Sequence, residues 1–332
     1  MAMPIGLVPT LKVPRVEPDD GFAFTTPTEN ANADTELSST GAPLGTFSVG
    51  SLPISIAIDP SGNVWVANSD DITVTKLSSA GATLGTYGVG FSPQAIAIDS
   101  SGNVWVANYG GNTVTELSST GATLGTFSVG SVPWGIATDP SGNVWVANLN
   151  ANSVTELSGA GATLGTFNVG TNPDAIAIDP SGNVWAANFF NNSVTELSST
   201  GATLGTFSVG THPDGIAIDP TGNVWVVNLN ANSVTELSST GATLGTFNVG
   251  SGPDAIAIDP SGNVWVTNWY SGTVTEFSST GAINSKTGAI SGNTSGMFLG
   301  QYTYYYIAGI VIVIIIILGI VYYYIMKKGG RR

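Results

Sequence analysis

Cysteine is absent from the chain, so neither disulfides nor thiolate metal sites are available to it. Positive charge is nearly as scarce. Lys and Arg number 8 against 22 Asp and Glu, and between residues 16 and 285 the only basic side chain is Lys76. A surface this poor in cations has little with which to release counterions from a phosphate backbone, which argues against a nucleic-acid partner. Charge of either sign makes up only 9% of the sequence, so Ser, Thr, Asn and Gly must cover the exterior. That composition is associated with secreted or cell-surface repeat proteins more than with cytosolic enzymes. Histidine occurs once, at His212, and a lone histidine is more often incidental than catalytic.

What is present is a strict period of 40 residues. One unit reads PDAIAIDPSGNVWAANFFNNSVTELSSTGATLGTFSVG from Pro173 to Gly210, and it recurs without insertion or deletion. The same proline falls at Pro53, Pro93, Pro133, Pro173, Pro213 and Pro253, and the same tryptophan at Trp65, Trp105, Trp145, Trp185, Trp225 and Trp265. Within the unit, short β-branched and aromatic runs at 174–179, 183–188, 193–198 and 203–208 are separated by Pro-Ser-Gly and Ser-Thr-Gly-Ala turns. Runs this short, punctuated this way, are strands in an antiparallel meander. Four-stranded meanders repeating at this length are blades of a β-propeller, in which both faces of each sheet are covered by neighbours. The expected fold is therefore all-β: a six-bladed β-propeller with one buried Trp per blade.

Ring closure follows from counting. The sixth unit breaks down after Ser278, where INSKT replaces TLGTF, while residues 35–50 are the tail of a unit lacking its beginning. The N-terminal strand near Leu44–Ser48 is expected to complete the last blade.

The phrase IAIDPSGNVWVAN, nearly verbatim in every unit, resembles the propeller repeats of the NHL type and of the virginiamycin B lyase-like family over residues 35–278. The resemblance implies the propeller fold. It also raises enzyme functions, because the lyases of that family use a His and Glu grouping on one rim, and related lactonases hold Ca²⁺ with Glu, Asn and Asp. No Glu occurs in the corresponding loops here.

The ends of the chain have other compositions. Residues 1–34 lack the period and read as a flexible leader, and residues 279–303 read as a Ser/Thr/Gly/Asn-rich stalk. Residues 307–326 contain no charge and are long enough as a helix to span about 30 Å of hydrocarbon. Tyr304–Tyr306 and Tyr322–Tyr324 flank this run as aromatic belts would, so 304–326 is expected to be a transmembrane helix in contact with the lipid bilayer. Lys327, Lys328, Arg331 and Arg332 place the tail 327–332 in the cytoplasm and the propeller outside by the positive-inside tendency. No export signal is visible at the start, and a tail-anchored cytosolic orientation is the alternative.

Strand alternation sorts the loops onto two rims. The DPSGN and SSTGAT turns share one rim and hardly vary between units. The loops between the second and third strands, with the blade-to-blade connections, share the other and vary freely. Variation on loops held by a rigid scaffold suits a ligand face, although tolerance to drift would look the same. The candidate ligand-binding residues are Tyr109, Trp134, Phe189, Phe190, Trp269, Tyr270, His212 and Gln94, aromatic and polar groups suited to a glycan or a protein partner. Asp174, Asp214 and Asp254 occupy equivalent positions on three successive units, and such a cluster suits Ca²⁺ or Mg²⁺ unless each is simply a strand-start residue. Asp and Glu repeated in every unit, such as Asp179 and Glu196, belong to the scaffold. The reading is a membrane-anchored surface propeller acting as a binding or adhesion module. The alternatives are a lyase-like or lactonase-like enzyme using His212 with a rim aspartate, and a structural surface-coat or virion component.

Overall fold

The computed structural model describes residues 22–24, 33–37, 43–259, 262–278 and 283–289. The repeating unit forms six four-stranded antiparallel blades, spanning Pro53–Gly88, Pro93–Ser128, Pro133–Asn168, Pro173–Ser208, Pro213–Asn248 and Pro253–Ala289. They are numbered 1 to 6 here. In blade 4 the strands are Pro173–Ile178, Val184–Asn188, Ser193–Leu197 and Thr203–Ser208, running from the inner strand to the outer one. Inner strands of successive blades abut, and the sheets meet face to face.

The core lies between blades. Trp145, Ala147 and Val154 of blade 3 pack on Ile176, Val184, Ala186 and Leu197 of blade 4, all buried. Both faces of the second and third strands are covered, which is why these strands are apolar or small at nearly every position. The outer strand is different, with its residues alternating between exposed and half-buried.

The DPSGN turn explains the invariance of its rim. In blade 4, Asp179 Oδ1 accepts from Ser181 N at 2.8 Å and Asn183 N at 2.9 Å, while Oδ2 accepts from buried Trp185 Nε1 at 3.2 Å. One carboxylate thus caps the turn and orients the core tryptophan. Gly182 supplies the positive φ of +85° that the turn requires.

A second glycine locks neighbouring blades together. Gly201 has φ +80°, and a Cβ added there would fall on the ring of Phe167 from the preceding blade. Phe167 also stacks on Trp145 of its own blade, with centroids 5.7 Å apart. Gly182→Ala pays only the left-handed backbone cost of about 1–2 kcal/mol, because the nearest atom to its Cβ is Ser199 Cβ at 3.6 Å. Gly201→Ala adds the displacement of a core ring, about 1–3 kcal/mol more. In thermal melts Gly201→Ala is expected to fall further than Gly182→Ala. Equal losses would mean that the ring does not fasten the seam.

The ends depart from expectation in one respect that matters. Residues Pro43–Ser48 do not complete blade 6. They pair with Ala33–Leu37, which pairs with Phe22–Phe24, giving a separate three-stranded sheet. Blade 6 takes its fourth strand from Ile283–Ala289, aligned with Thr273–Phe277 through a register shift. The INSKT run forms a strand although it has lost the repeat pattern, because the open edge of Thr273–Phe277 offers backbone partners to whatever follows it in the chain. Strand structure therefore begins within the stretch read as a leader and continues into the stretch read as a stalk. Phe47 lies over Gly81 of blade 1 as Phe167 lies over Gly201, so the N-terminal sheet packs on blade 1 as one blade packs on the next.

The expected membrane helix at 304–326, its basic tail and most of the stalk lie outside the described residues. Among the described residues no helix is long and apolar enough to cross a membrane.

Candidate functional site

The variable rim is built on a repeated asparagine. Asn188 at the end of the second strand of blade 4 accepts from Gly170 N at 2.9 Å and donates to Thr195 Oγ1 at 2.9 Å, tying the blade-to-blade connection to the sheet. The loop after Asn188 bonds to the same connection, with Phe189 N donating to Asn172 O at 2.9 Å. The two sets of loops thus share one rim, as the strand alternation predicts.

A further asparagine in each of four loops reaches the next blade. Asn112, Asn152, Asn192 and Asn232 accept from the backbone N of Val132, Asn172, His212 and Gly252. Each adopts positive φ, from 50° to 53°. The spacing alone could have revealed these clasps, since blades 1 and 6 carry Ile72 and Gly272 at the same position.

The predicted ligand residues fall into three groups. Across blades 4 and 5, Phe189 stacks flat on His212 with centroids 4.4 Å apart and 6° between planes, and Phe190 stands edge-on to both rings. Asn230, which sequence reasoning missed, contacts His212 Nδ1 through its side-chain amide. Across blades 2 and 3, Tyr109 meets Trp134 edge-on at 5.5 Å. On blade 6, Trp269 and Tyr270 project from a single loop.

Exposure separates contact groups from packing groups. Phe190 is 48% exposed, Trp269 38% and Tyr270 53%, whereas Trp134 is 6%, Phe189 2% and Gln94 fully buried. Trp134 and Gln94 are therefore not surface contacts, because they lie on inner strands covered by adjoining blades. Phe91, on the connection before blade 2, is more exposed than any predicted aromatic and was missed. Burial pushes the His212 imidazole below its ordinary pKa, against the opposing pull of the Asn230 hydrogen bond, so the ring is neutral at pH 7.

Below the rim, Asp174, Asp214 and Asp254 are all buried, and Asp214 hydrogen-bonds to both of the others. Burial pushes Asp214 up to about 6, opposed by those hydrogen bonds. Asp254 is raised well above its usual range by burial, then by the charge and hydrogen bond of Asp214. Carboxyls this close share protons. Their mutual hydrogen bonds differ from the open oxygen cage expected for Ca²⁺ or Mg²⁺, and among the described residues no group of three His, Cys, Asp or Glu is arranged to hold a metal ion. Tyr270 has its phenol pKa raised by burial and then by the charges of Asp254 and Asp214.

The carboxylates of the opposite rim are structural. Glu116, Glu156, Glu196 and Glu236 are pushed up by burial and by the facing Asp of the same blade. In blade 1 the equivalent residue is Lys76, which lies 3.4 Å from Asp59, donates to Ser119 O at 2.8 Å and covers the Trp65 ring. Burial acts to raise Asp59. Hydrogen bonds from Asn63 and Trp65 and the Lys76 charge outweigh it and hold the carboxyl below its usual range.

The virginiamycin B lyase family matches residues 44–296. The chain belongs to that family. Among solved structures, it superposes with a TM-score of 0.69 on a catalytically inactive histidine-to-alanine variant of virginiamycin B lyase from Staphylococcus aureus with quinupristin, at 18% identity, covering 85% of this chain and 94% of that one. Hydrazine synthase of Kuenenia stuttgartiensis gives a TM-score of 0.72 at 16% identity, covering 84% of this chain and 98% of that one. A candidate 6-phosphogluconolactonase from Bacteroides fragilis gives 0.69 at 17% identity, covering 80% and 93%. At these identities the likeness extends to the fold. No curated protein matches the chain.

Proposed function

We propose that this virginiamycin B lyase family member is a ligand-binding propeller whose contacts come from the variable rim of blades 4 to 6. The observation that carries the reading is the placement of Phe190, Trp269 and Tyr270. These are large aromatic side chains left exposed on short loops whose backbones are tied to the scaffold. Exposed rings beside Asn and Asp suit stacking and hydrogen bonding to a glycan, or anchoring of a protein partner. In this reading the apolar run 304–326 anchors the propeller to a membrane, with the cluster 327–332 on the cytoplasmic side.

The His212 geometry favours a second reading, a lyase-like enzyme. A neutral imidazole stacked on Phe189, whose Nδ1 accepts from the Asn230 amide, carries its proton on Nε2 and is placed to donate it to a bound ligand. A Glu partner of the kind the family resemblance implies is missing from the rim loops.

Tryptophan-fluorescence titration with a panel of neutral oligosaccharides and with quinupristin separates the readings. Trp269→Ala and Phe190→Ala are expected to weaken binding of whichever probe is retained by tenfold or more without lowering the melting temperature. Trp134→Ala is expected to do the reverse, losing stability because that ring is packed. Retention of the probe at wild-type affinity by both Trp269→Ala and Phe190→Ala would end the rim reading. Turnover of quinupristin by the wild type, abolished in His212→Ala, would replace it with the enzyme reading.

A further inference from the structure

The two rims differ in charge as well as in variability. Among the described residues the exposed charged side chains are Asp70 and Asp71, and both stand on the variable rim. The carboxylates of the uniform rim lie behind its surface. Asp179 is buried on Trp185, and Glu196 is buried beside it. What this rim presents to solvent is Pro, Ser, Thr, Ala, Gly and Leu. In blade 4 the exposed residues are Pro180 and Ser181 of the first turn, with Ser199, Thr200 and 202–204 at the second. Each of blades 1 to 5 exposes the same seven positions, 35 residues in all.

The last of the seven is always a leucine. Leu84, Leu124, Leu164, Leu204 and Leu244 are each 51–55% exposed. They are five of the nine large hydrophobic side chains that the described residues expose, and the other four lie on loops of the variable rim. A bulge sets their position. In blade 4, Glu196 pairs with Gly205 and Leu197 with Thr203, so Leu204 has no residue opposite it. The same shift occurs in blades 1, 2, 3 and 5. A bulge interrupts the ladder of an outer strand and makes it a poor template for edge pairing. A partner therefore meets the rim face, leucines included, and does not add a strand.

We propose that two copies of this chain dock uniform rim to uniform rim across a two-fold axis. Charge favours a second copy as the occupant. A charged partner would lose hydration against a face that offers no counter-charge at its surface, whereas an identical face brings no exposed charge to desolvate. Its Ser and Thr hydroxyls both donate and accept, so they can pair with their own kind. Extent agrees, because a standard interface takes about 20–30 residues a side and this rim offers 35. Contact across a two-fold is self-complementary, and here the blades are near-copies, so turning one disc by one blade brings equivalent side chains together again. The inference concerns the rim opposite Phe190, Trp269 and Tyr270 and stands without the ligand reading.

The test uses the full-length chain in a nonionic detergent, with size exclusion and light scattering to weigh protein and bound detergent separately. Wild type is expected to be a dimer at micromolar concentration and to dissociate on dilution. Leu124→Glu, Leu164→Glu and Leu204→Glu combined are expected to weaken association by about a hundredfold, since like charges then face each other. Phe91→Glu, on the variable rim, is expected to leave the dimer intact. The corresponding triple substitution to Lys is expected to be monomeric alone and to form a dimer when mixed with the Glu triple, a result that only folded chains can give. A monomeric wild type, a dimer that survives the Glu triple, or a mixture that stays monomeric would each overturn the proposal. A monomer that sheds bound detergent in the Glu triple would overturn it too, and would assign the rim to a lipid surface.

Discussion

Asp179→Ala is expected to lower the melting temperature by about 10 °C. The substitution removes the acceptor of two turn N–H groups and of Trp185 Nε1, leaving a fully buried indole donor unpaired. Hydrogen bonds to a charged acceptor contribute about 1.5–3 kcal/mol each, and an orphaned buried donor costs about 1–3 kcal/mol. The two turn N–H groups are part-buried and can bond to water instead, so the orphaned indole dominates and the net loss is about 4 kcal/mol, which at about 2–4 °C per kcal/mol corresponds to about 10 °C. Asp179→Asn is expected to fall between wild type and Ala, since an amide can accept from the turn but then presents a donor to the indole. A loss under 2 °C for Asp179→Ala would mean that the turn does not need its carboxylate. Because Asp59, Asp99, Asp139, Asp219 and Asp259 make the same bond to their own tryptophans, the result should transfer between blades.

Asp214→Asn has the opposite sign at neutral pH. Asp214 is fully buried, and its folded pKa is about 6 against a reference of 3.8. A carboxyl raised on folding holds its proton more tightly in the native state. Its contribution to stability is therefore complete below about 3.8 and is lost as pH rises through about 6. Asp254 and the raised Glu116, Glu156, Glu196 and Glu236 act in the same direction. Asp59 and Asp219, which are lowered, oppose it only further into acid. Wild type is thus expected to melt higher at pH 5 than at pH 8. A shift of two pKa units corresponds to about 3 kcal/mol, so Asp214→Asn is expected to gain at least 5 °C at pH 8 and little at pH 5, flattening the profile. A steeper profile in the variant would show that the ionised trio is native and stabilising.

The repeat made the blades, their strands and the capped turns readable in advance. Those features depend on contacts within 40 residues, and each recurs several times. Asp179, Gly182 and Trp185 lie within one turn of chain, so their relation is local and visible in the order of residues. The division into a uniform rim and a variable rim was legible for the same reason, since strand alternation is a property of the backbone.

The candidate site was less legible because exposure is decided by the neighbouring blade. Phe189 and Phe190 are adjacent and chemically identical, yet the first is covered by the His212 ring from the next connection and the second faces solvent. Trp134 looked like a rim contact until Tyr109 and the adjoining inner strands closed over it. Three aspartates 40 residues apart looked like a metal cage or simple strand-start residues. Their side chains instead meet each other, which only the curvature of the ring brings about.

By itself the amino-acid order determined the 40-residue sheet unit, its turns, and the alternation that sends successive loops to opposite rims, because each follows from chain geometry over a few residues. Only the tertiary structure decided how the two ends join the assembly. Which strand takes an open edge depends on what else competes for it: Ile283–Ala289 completed blade 6, while Pro43–Ser48 joined Ala33–Leu37. It also decided which rim side chains meet solvent and which share protons, since burial and mutual repulsion arise between residues that the chain itself keeps far apart.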